Sequence, residues 1–485
     1  MRLGRKRNGR FLLFLLSFLF VTGGSFLGIQ FVTKTGIFAP PGVVYYDESL
    51  EESELTLLKS VFTDEVVLKK DVKISAQNSY TKPEAAIGTY LVDILVPVTD
   101  FYESRSDISE FTDSEYSFIS INDLKFDQKL LTIDGKYYLD DFNQGAVFRT
   151  VSFESPLFEQ EIQPRVEELF ATKSFPSEET VLTMAQTGVT ALSRGMNQKL
   201  RSVENGEYFA EKIGGFLSSF DLTHTSNESS FTNAASSSNI CSDPKFKQTL
   251  NSIGLDIVEL TGNHNQDCGN EAAIQTIDYY KDTNIKTVGG GRNATEAAVP
   301  LEINEKGTKI TFLAYNLSTG GATHGNTPGA NQYYEEAAAD EIQTAKERGD
   351  FVLVDIQYYE CNAYASEYED TTCDYANSSA GDQIGFFRHL IDLGADMVVG
   401  TSAHQPQTFE LYKKGVIYYG LGNLFFDQVW WPGTTRSLIL AHYFYKDRLM
   451  QTKLVPTVYD KDMQTTIMDE ETRRWFLNRL IQVHP

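Results

Sequence analysis

A layered α/β fold behind an N-terminal membrane anchor is what this chain of 485 residues predicts. Three observations carry that reading. From Val181 onward, short apolar runs alternate with polar loops and helical stretches, the rhythm of a sheet covered by helices. Polar clusters recur at the same end of those runs, where open α/β sheets place their ligand sites. Before them lies a basic flank, an uncharged stretch and a β-rich segment, so one compact core is not expected at this length.

The N-terminus reads first. Arg2, Arg5, Lys6, Arg7 and Arg10 precede an uncharged run, Phe11 to Val32. At about 1.5 Å per helical residue the run covers roughly 33 Å, enough to span a bilayer core. The basic flank (residues 1–10) belongs on the cytoplasmic side, which leaves the rest extracytoplasmic. An uncleaved single-pass anchor over 11–32 is the expectation. A cleaved signal peptide is the rival, but the run is longer than a usual apolar region and Gly23-Gly24-Ser25 offers no clear cleavage pattern.

Residues 33–45, with Pro40-Pro41-Gly42, read as a linker. From 46 to 172 the chain is β-rich, and Leu91–Pro97, Gly135–Leu139 and Phe148–Phe153 read as strands. Asp140-Asp141 reads as a solvated turn. No catalytic constellation stands out here, and the role of this small α/β domain is not legible. Lys173–Glu179 is a plausible boundary.

The next domain, 180–445, repeats its rhythm along the chain. Val181–Ala185, Asp256–Leu260, Ile310–Ala314, Phe351–Ile356, Met397–Gly400 and Val416–Tyr419 read as buried strands of one largely parallel sheet. Glu271–Lys281, Tyr334–Arg348 and Asp382–Leu393 read as helices, the first capped by Asn270. Residues 446–485 form a C-terminal extension. The central stretch is Thr261–Gly269, which holds Asn263, His264 and Asp267 after a strand and before a helix. Such side chains suit a divalent metal or acid–base work. A capped loop with a hydrogen-bonded histidine is the plainer alternative. By position, Glu228, Gln357, Glu360, His404 and Asn423 are the partners that could converge on it. His224, inside its strand-like run, reads as a packed histidine. His324, His389, His442 and His484 read as structural or exposed.

Formal net charge is −24, and the part beyond the basic flank is more acidic still. That argues against nucleic acid as a partner. The cysteines are Cys241, Cys268, Cys361 and Cys373, without a CxxC, in a chain expected to be exported; disulfides are the natural reading. Cys361 and Cys373, close in sequence, are expected to pair, which leaves Cys241 with Cys268. Three pairings are open to four cysteines.

Four stretches then carry a resemblance: Ser226–Phe231, Gly262–Gly269, Gly394–Gln407 and Tyr419–Gln428. In this order they resemble the CapA family, the poly-γ-glutamate capsule synthesis proteins, whose domain is similar to the calcineurin-like metallophosphoesterases. The resemblance covers residues 180–445 and the tethered layout, not 46–172. It implies a metallophosphoesterase-like layered domain. It also implies a divalent metal of unspecified identity held by Glu228, Asn263 and His404; by position along the chain, Gln357 and Glu360 are added to that ligand set. His264 and Asp267 would be catalytic, and Gln405 and Asn423 would face substrate. The implied substrate is an anionic cell-envelope polymer or a phosphoester, and the implied partners are other capsule-synthesis membrane proteins.

The sequence departs from the family pattern in three places. Thr187-Gly188-Val189-Thr190 lacks a carboxylate, Gln357 stands where a histidine is usual, and Thr401-Ser402 lack a second histidine. Two dications about 3.5–4 Å apart need more carboxylates and imidazoles than this. A single metal would act as Lewis acid and source of hydroxide, with His264 as acid or base. A pocket of neutral donors for an acidic polymer or phosphate is the alternative, and a non-catalytic scaffold with a degenerate site is a second.

Overall fold

The computed structural model describes residues 44–46, 50–51, 72–154, 163–171, 173–317, 320–358, 382–429, 432–482 and 485. Among these, no helix is long and apolar enough to cross a membrane. The run Phe11–Val32 lies outside them, as do Glu360, Cys361, Cys373 and His484. The chain divides into two units. The first holds residues 1–99, 106–124 and 130–177; the second holds 100–105, 125–129 and 178–485.

In the first unit, antiparallel strands Val72–Thr81, Gln144–Glu154, Thr89–Asp100 and Ser117–Ser120 lie side by side in that order. Alternate residues Val92, Ile94, Val96 and Val98 are buried, the period-2 pattern of a strand with one face in a core. Helix Gln163–Ala171 brings Phe170 flat against Tyr90, with ring centroids 5.2 Å apart. Gly135–Leu139, expected to be a strand, is a turn with one isolated bridge between Ile133 and Lys136. Asp134 and Gly135 both take positive φ there. The β-forming tyrosines instead drop into the core from the turn, and Tyr138 donates its hydroxyl to Pro176 O at 3.2 Å.

In the second unit, strand Phe351–Gln357 is buried at every position, so both of its faces need cover. The cover differs by face. Val352, Val354 and Ile356 pack on Ala338 and Ile342 of helix Glu335–Glu347 and on Phe387 and Leu390 of helix Gln383–Leu393. Phe351 and Leu353 meet Leu182, Met184, Leu222, Ile257, Leu438 and Leu440, which belong to a different sheet. Each such side chain fully buried contributes about 1.5–3 kcal/mol.

The single sheet expected from the repeat is therefore two sheets face to face. One runs in the order Lys286–Val288, Ile257–Glu259, Leu222–Asn227, Leu182–Thr190, Arg436–Tyr445, Arg448–Tyr459, Thr465–Ile467, with Asn423–Phe425 also beside the Leu182 strand. The other runs Leu301–Glu305, Thr308–Asn316, Phe351–Gln357, Met397–Gly400, Gly415–Tyr418, Phe409–Tyr412. The parallel ladders bring the carboxyl ends of successive strands together within each sheet. Residues 446–485 supply the Arg448–Tyr459 strand, so they close the first of these sheets with a hairpin.

Expected helices are present within a residue or two, Asn270–Asp282 among them. Its N-cap is Gly269 rather than Asn270, and no side chain caps it. Asp382 does cap its helix, accepting the Gly385 N–H at 2.8 Å. Segments 100–105 and 125–129 pack within the second unit: Tyr102 stacks on Phe409 at 5.9 Å, and Gln451 Nε2 donates to Lys125 O and Gln128 O.

Candidate functional site

Along each strand facing the other sheet, every second residue points inward, and the inward residues turn from apolar to polar toward the carboxyl end. Leu222 is followed by His224, Ser226 and then Glu228; Leu353 by Asp355 and Gln357; Met184 by Gln186; Ile257 by Glu259. All are buried.

The deeper of these groups form a layer joining the sheets. Asp355 accepts from Gln186 Nε2 at 2.7 Å and lies 3.0 Å from His224 Nε2. His442 places Nε2 3.2 Å from Gln186 Oε1 and Nδ1 2.9 Å from the Thr452 hydroxyl. The His224 ring lies parallel to Phe312, so it is packed as expected and also paired. Burial pushes the Glu259 carboxyl up to about 7, helped by the nearby Asp355 charge. Burial, with His224 beside it, pulls His442 down to about 3. Glu259 Oε1 accepts both the backbone N–H and the hydroxyl of Thr261, and so secures the start of the central loop.

Above that layer lies the site. Glu228 continues from strand Leu222–Asn227, and its N–H bonds Thr190 O at 3.0 Å. The loop Gly262–Gly269 rests on it so closely that a Cβ at Gly262 would sit 2.8 Å from Glu228 Cα; only glycine fits there. Gly188 is similarly constrained, since a Cβ would lie 2.0 Å from Gly422 O. Gln357 ends its strand from the opposite sheet. Its Nε2 lies 3.2 Å from Glu228 Oε1, 3.1 Å from Asn263 Oδ1 and 3.3 Å from Ser402 Oγ. Thr401 Oγ1 donates to its Oε1 at 3.4 Å. Thus Glu228, Asn263 and Gln357, far apart in sequence, do converge.

Two further pairs lie at strand ends or on the loops that follow them. His264 Nδ1 and Asp267 Oδ2 are 2.8 Å apart, with side chains 26% and 40% exposed. His404 Nδ1 donates to Asn423 Oδ1 at 2.8 Å, because the Asn423 amide nitrogen is directed at Thr434 O and Gln428 Oε1. Asn423 lies in register with Val189, at the end of the strand next to the one that leads to Glu228. Gln405 is buried, packed so near Gly433 that a Cβ there would meet its Oε1 at 2.4 Å.

The central loop is held by residues the sequence reading passed over. Asn316, fully buried at the end of its strand, donates to Thr261 O at 2.7 Å and Gly320 O at 3.1 Å. Ser230 Oγ donates to Asn265 O at 2.6 Å. Cys241 and Cys268 form a disulfide, as expected. Arg194 was also missed. It takes φ +49°, rare for an arginine, holds Asp427 through Nε and Nη2, and lies 4.5 Å over the Phe426 ring that also packs on His404. Nothing in the local sequence marks Asn316, Ser230 or Arg194, whose partners are remote in the chain.

The donor set does not fit a divalent ion at Gln357. Among the described residues, no group of three or more histidine, cysteine, aspartate or glutamate side chains is placed to hold one. The Gln357 N–H groups are directed at the oxygens that would otherwise ligate a cation. The strand ending at Thr190 brings hydroxyls, with Thr187 and Thr190 both bonded to Thr225 Oγ1 at 2.8 Å, and no carboxylate.

Comparison with known proteins agrees with the motif pattern. The family described as bacterial capsule synthesis protein PGA_cap matches residues 183–428. The capsule biosynthesis protein CapA of Bacillus anthracis is 26% identical over 206 residues, 41% of this chain and 46% of that protein. The PGA biosynthesis protein CapA of Bacillus subtilis is 28% identical over 202 residues, 41% of this chain and 49% of that one. A probable polyglutamine synthesis accessory protein of Mycobacterium tuberculosis is 25% identical over 197 residues, covering 38% and 48%. The chain spans about half the length of the curated relatives it matches. With the family match covering half of its residues, this chain belongs to the bacterial capsule synthesis protein family PGA_cap.

Proposed function

We propose that this chain serves the biosynthesis of an anionic cell-envelope polymer of the poly-γ-glutamate kind, from the outer face of the membrane. The Phe11–Val32 run would tether it beside other capsule-synthesis membrane proteins. The strand-end cluster of the second unit is where the polymer is handled. The observation that carries this reading is the gathering of Glu228, Asn263, Gln357 and Ser402 from both sheets, next to the His264–Asp267 pair on the same loop as Asn263.

His264 and Asp267 supply the chemistry of a hydrolase or transferase. The carboxylate accepts the Nδ1 proton, orients the ring and stabilises the imidazolium that forms when the ring takes a proton. The chain is strongly acidic overall, so approach of a polyanion is not favoured at long range. Docking therefore depends on short-range donors: hydroxyls of the strand ends and loop N–H groups. A second reading, binding without catalysis, is favoured by the Gln357 amide and by the absence of a carboxylate at Thr187–Thr190.

A strain carrying only the His264→Ala protein separates the two. General acid–base catalysis contributes about 10²–10⁴-fold, so polymer yield or polymer chain length should change by at least tenfold while protein level and melting temperature hold. Unchanged polymer from that strain would remove His264 from the chemistry. If Gln357→Ala then abolished the product on its own, the binding reading would stand.

A further inference from the structure

Three oxygens crowd one nitrogen at Gln357, and that arrangement is unusual for a neutral amide. Glu228, at 1% exposure, is a carboxylate taken out of water, and it needs either a cation or hydrogen-bond donors around it. Gln357 Nε2 supplies donors to it at 3.2 Å and reaches Asn263 Oδ1 and Ser402 Oγ at 3.1 and 3.3 Å. We infer that the Gln357 amide stands in for a cation, locking Glu228, Asn263 and Ser402 into a cluster that forms without metal. This deepens the proposed polymer site by stating what holds it together.

The orientation of the amide follows from its surroundings. The reverse orientation would set Oε1 against a carboxylate oxygen in a buried setting, where repulsion is screened least. It would also lose the Thr401 hydroxyl that Oε1 accepts. Oxygen ligands bind hard divalent ions at about 2.0–2.6 Å, and a cation between Glu228 and Asn263 would have to displace the N–H groups that now lie there. An imidazole at 357 would offer a ring nitrogen from the same strand end. A carboxylate at 357 would set two negative charges side by side.

The test uses the full-length protein in detergent, with elemental analysis and thermal melting in EDTA, Zn²⁺, Mn²⁺, Mg²⁺ and Ca²⁺. Wild type should carry no stoichiometric divalent ion and melt at the same temperature with EDTA as with any of the four. Gln357→His should take up one Zn²⁺ or Mn²⁺ per chain and melt several degrees higher with it, reversibly with EDTA. Gln357→Glu should melt well below wild type in EDTA and recover with Mg²⁺ or Ca²⁺. Adding Glu228→Gln should abolish metal uptake in Gln357→His and the metal requirement of Gln357→Glu.

A divalent ion bound by wild type at one per chain and lost in Glu228→Gln would overturn the inference. So would a folded Gln357→His that gains no metal together with a Gln357→Glu that melts like wild type. These readouts are independent of polymer yield, so a failed polymer proposal and a failed amide proposal are distinguishable.

Discussion

Replacing Cys241 and Cys268 with serine is expected to lower the unfolding free energy by about 3–4 kcal/mol, the chain-entropy value for a closed loop of this size. The bridge spans 27 residues and joins the segment after Glu228 to the end of the central loop. Its loss releases the unfolded chain from that closure and removes a tether from the stretch bearing His264 and Asp267. Other contacts also restrain the loop, among them Asn265 Nδ2 to Leu260 O at 2.8 Å, Ser230 Oγ to Asn265 O, Asn316 Nδ2 to Thr261 O and Gln266 Nε2 to Pro328 O. Urea unfolding of wild type and the double-serine variant at neutral pH measures the effect. A difference below about 1 kcal/mol would mean that residual structure already restricts this stretch in the unfolded chain, so closing the loop adds little.

Glu259→Gln is expected to change how stability depends on pH. Burial and the neighbouring Asp355 raise the Glu259 carboxyl from 4.5 to about 7. The fold thus keeps a proton that the unfolded chain has released, and stability falls as pH rises from 4.5 to about 7. The slope approaches about 1.4 kcal/mol per pH unit, summing to roughly 3 kcal/mol. His442 acts in the opposite sense. Burial lowers it from 6.5 to about 3, so the unfolded chain gains a proton that the fold refuses, and stability falls as pH drops below 6.5. Between about pH 4.5 and 6.5 the two contributions oppose each other.

Glutamine at 259 keeps an oxygen for Thr261 and removes the titration. The variant should be more stable than wild type at pH 8 by up to roughly 3 kcal/mol, and should lose stability more steeply on acidification from pH 6.5 to 4.5. Unfolding free energies at half-unit pH steps check this. Parallel curves for the two proteins would show that Glu259 does not titrate in this window.

Much of the site was legible in the sequence because strand ends are marked by composition. The runs ending before Asn263 and Gln357 are largely apolar, the run before Glu228 is strand-like though rich in threonine, and the polar residues after them are the ones that converge. The division into two sheets was not legible. A fully buried parallel strand such as Phe351–Gln357 has no alternation to betray which neighbours it takes, and the strand–helix rhythm continues unbroken from Lys286–Val288 in one sheet to Thr308–Asn316 in the other. Gly135–Leu139 misled for a related reason, since tyrosines and leucine suit a core reached from a turn as well as one reached from a strand. The inter-sheet layer follows a period of two, Leu222-x-His224-x-Ser226 and Leu353-x-Asp355-x-Gln357, set among threonines in the first strand and within an apolar run in the second. Asn316 and Arg194 carried no such mark; their roles depend on neighbours remote in sequence.

The most direct test of the polymer site is calorimetric titration of the full-length protein with a γ-glutamyl oligomer in EDTA. The expected result is saturable binding at one oligomer per chain that survives the chelator. It should weaken at least tenfold when Asn263 and His264 are both replaced by alanine, and stay unchanged in Lys461→Ala, a change at an exposed turn. Absence of saturable binding, or equal affinity in the Asn263/His264 double variant with its fold intact, would contradict the assignment of the strand-end cluster to the polymer.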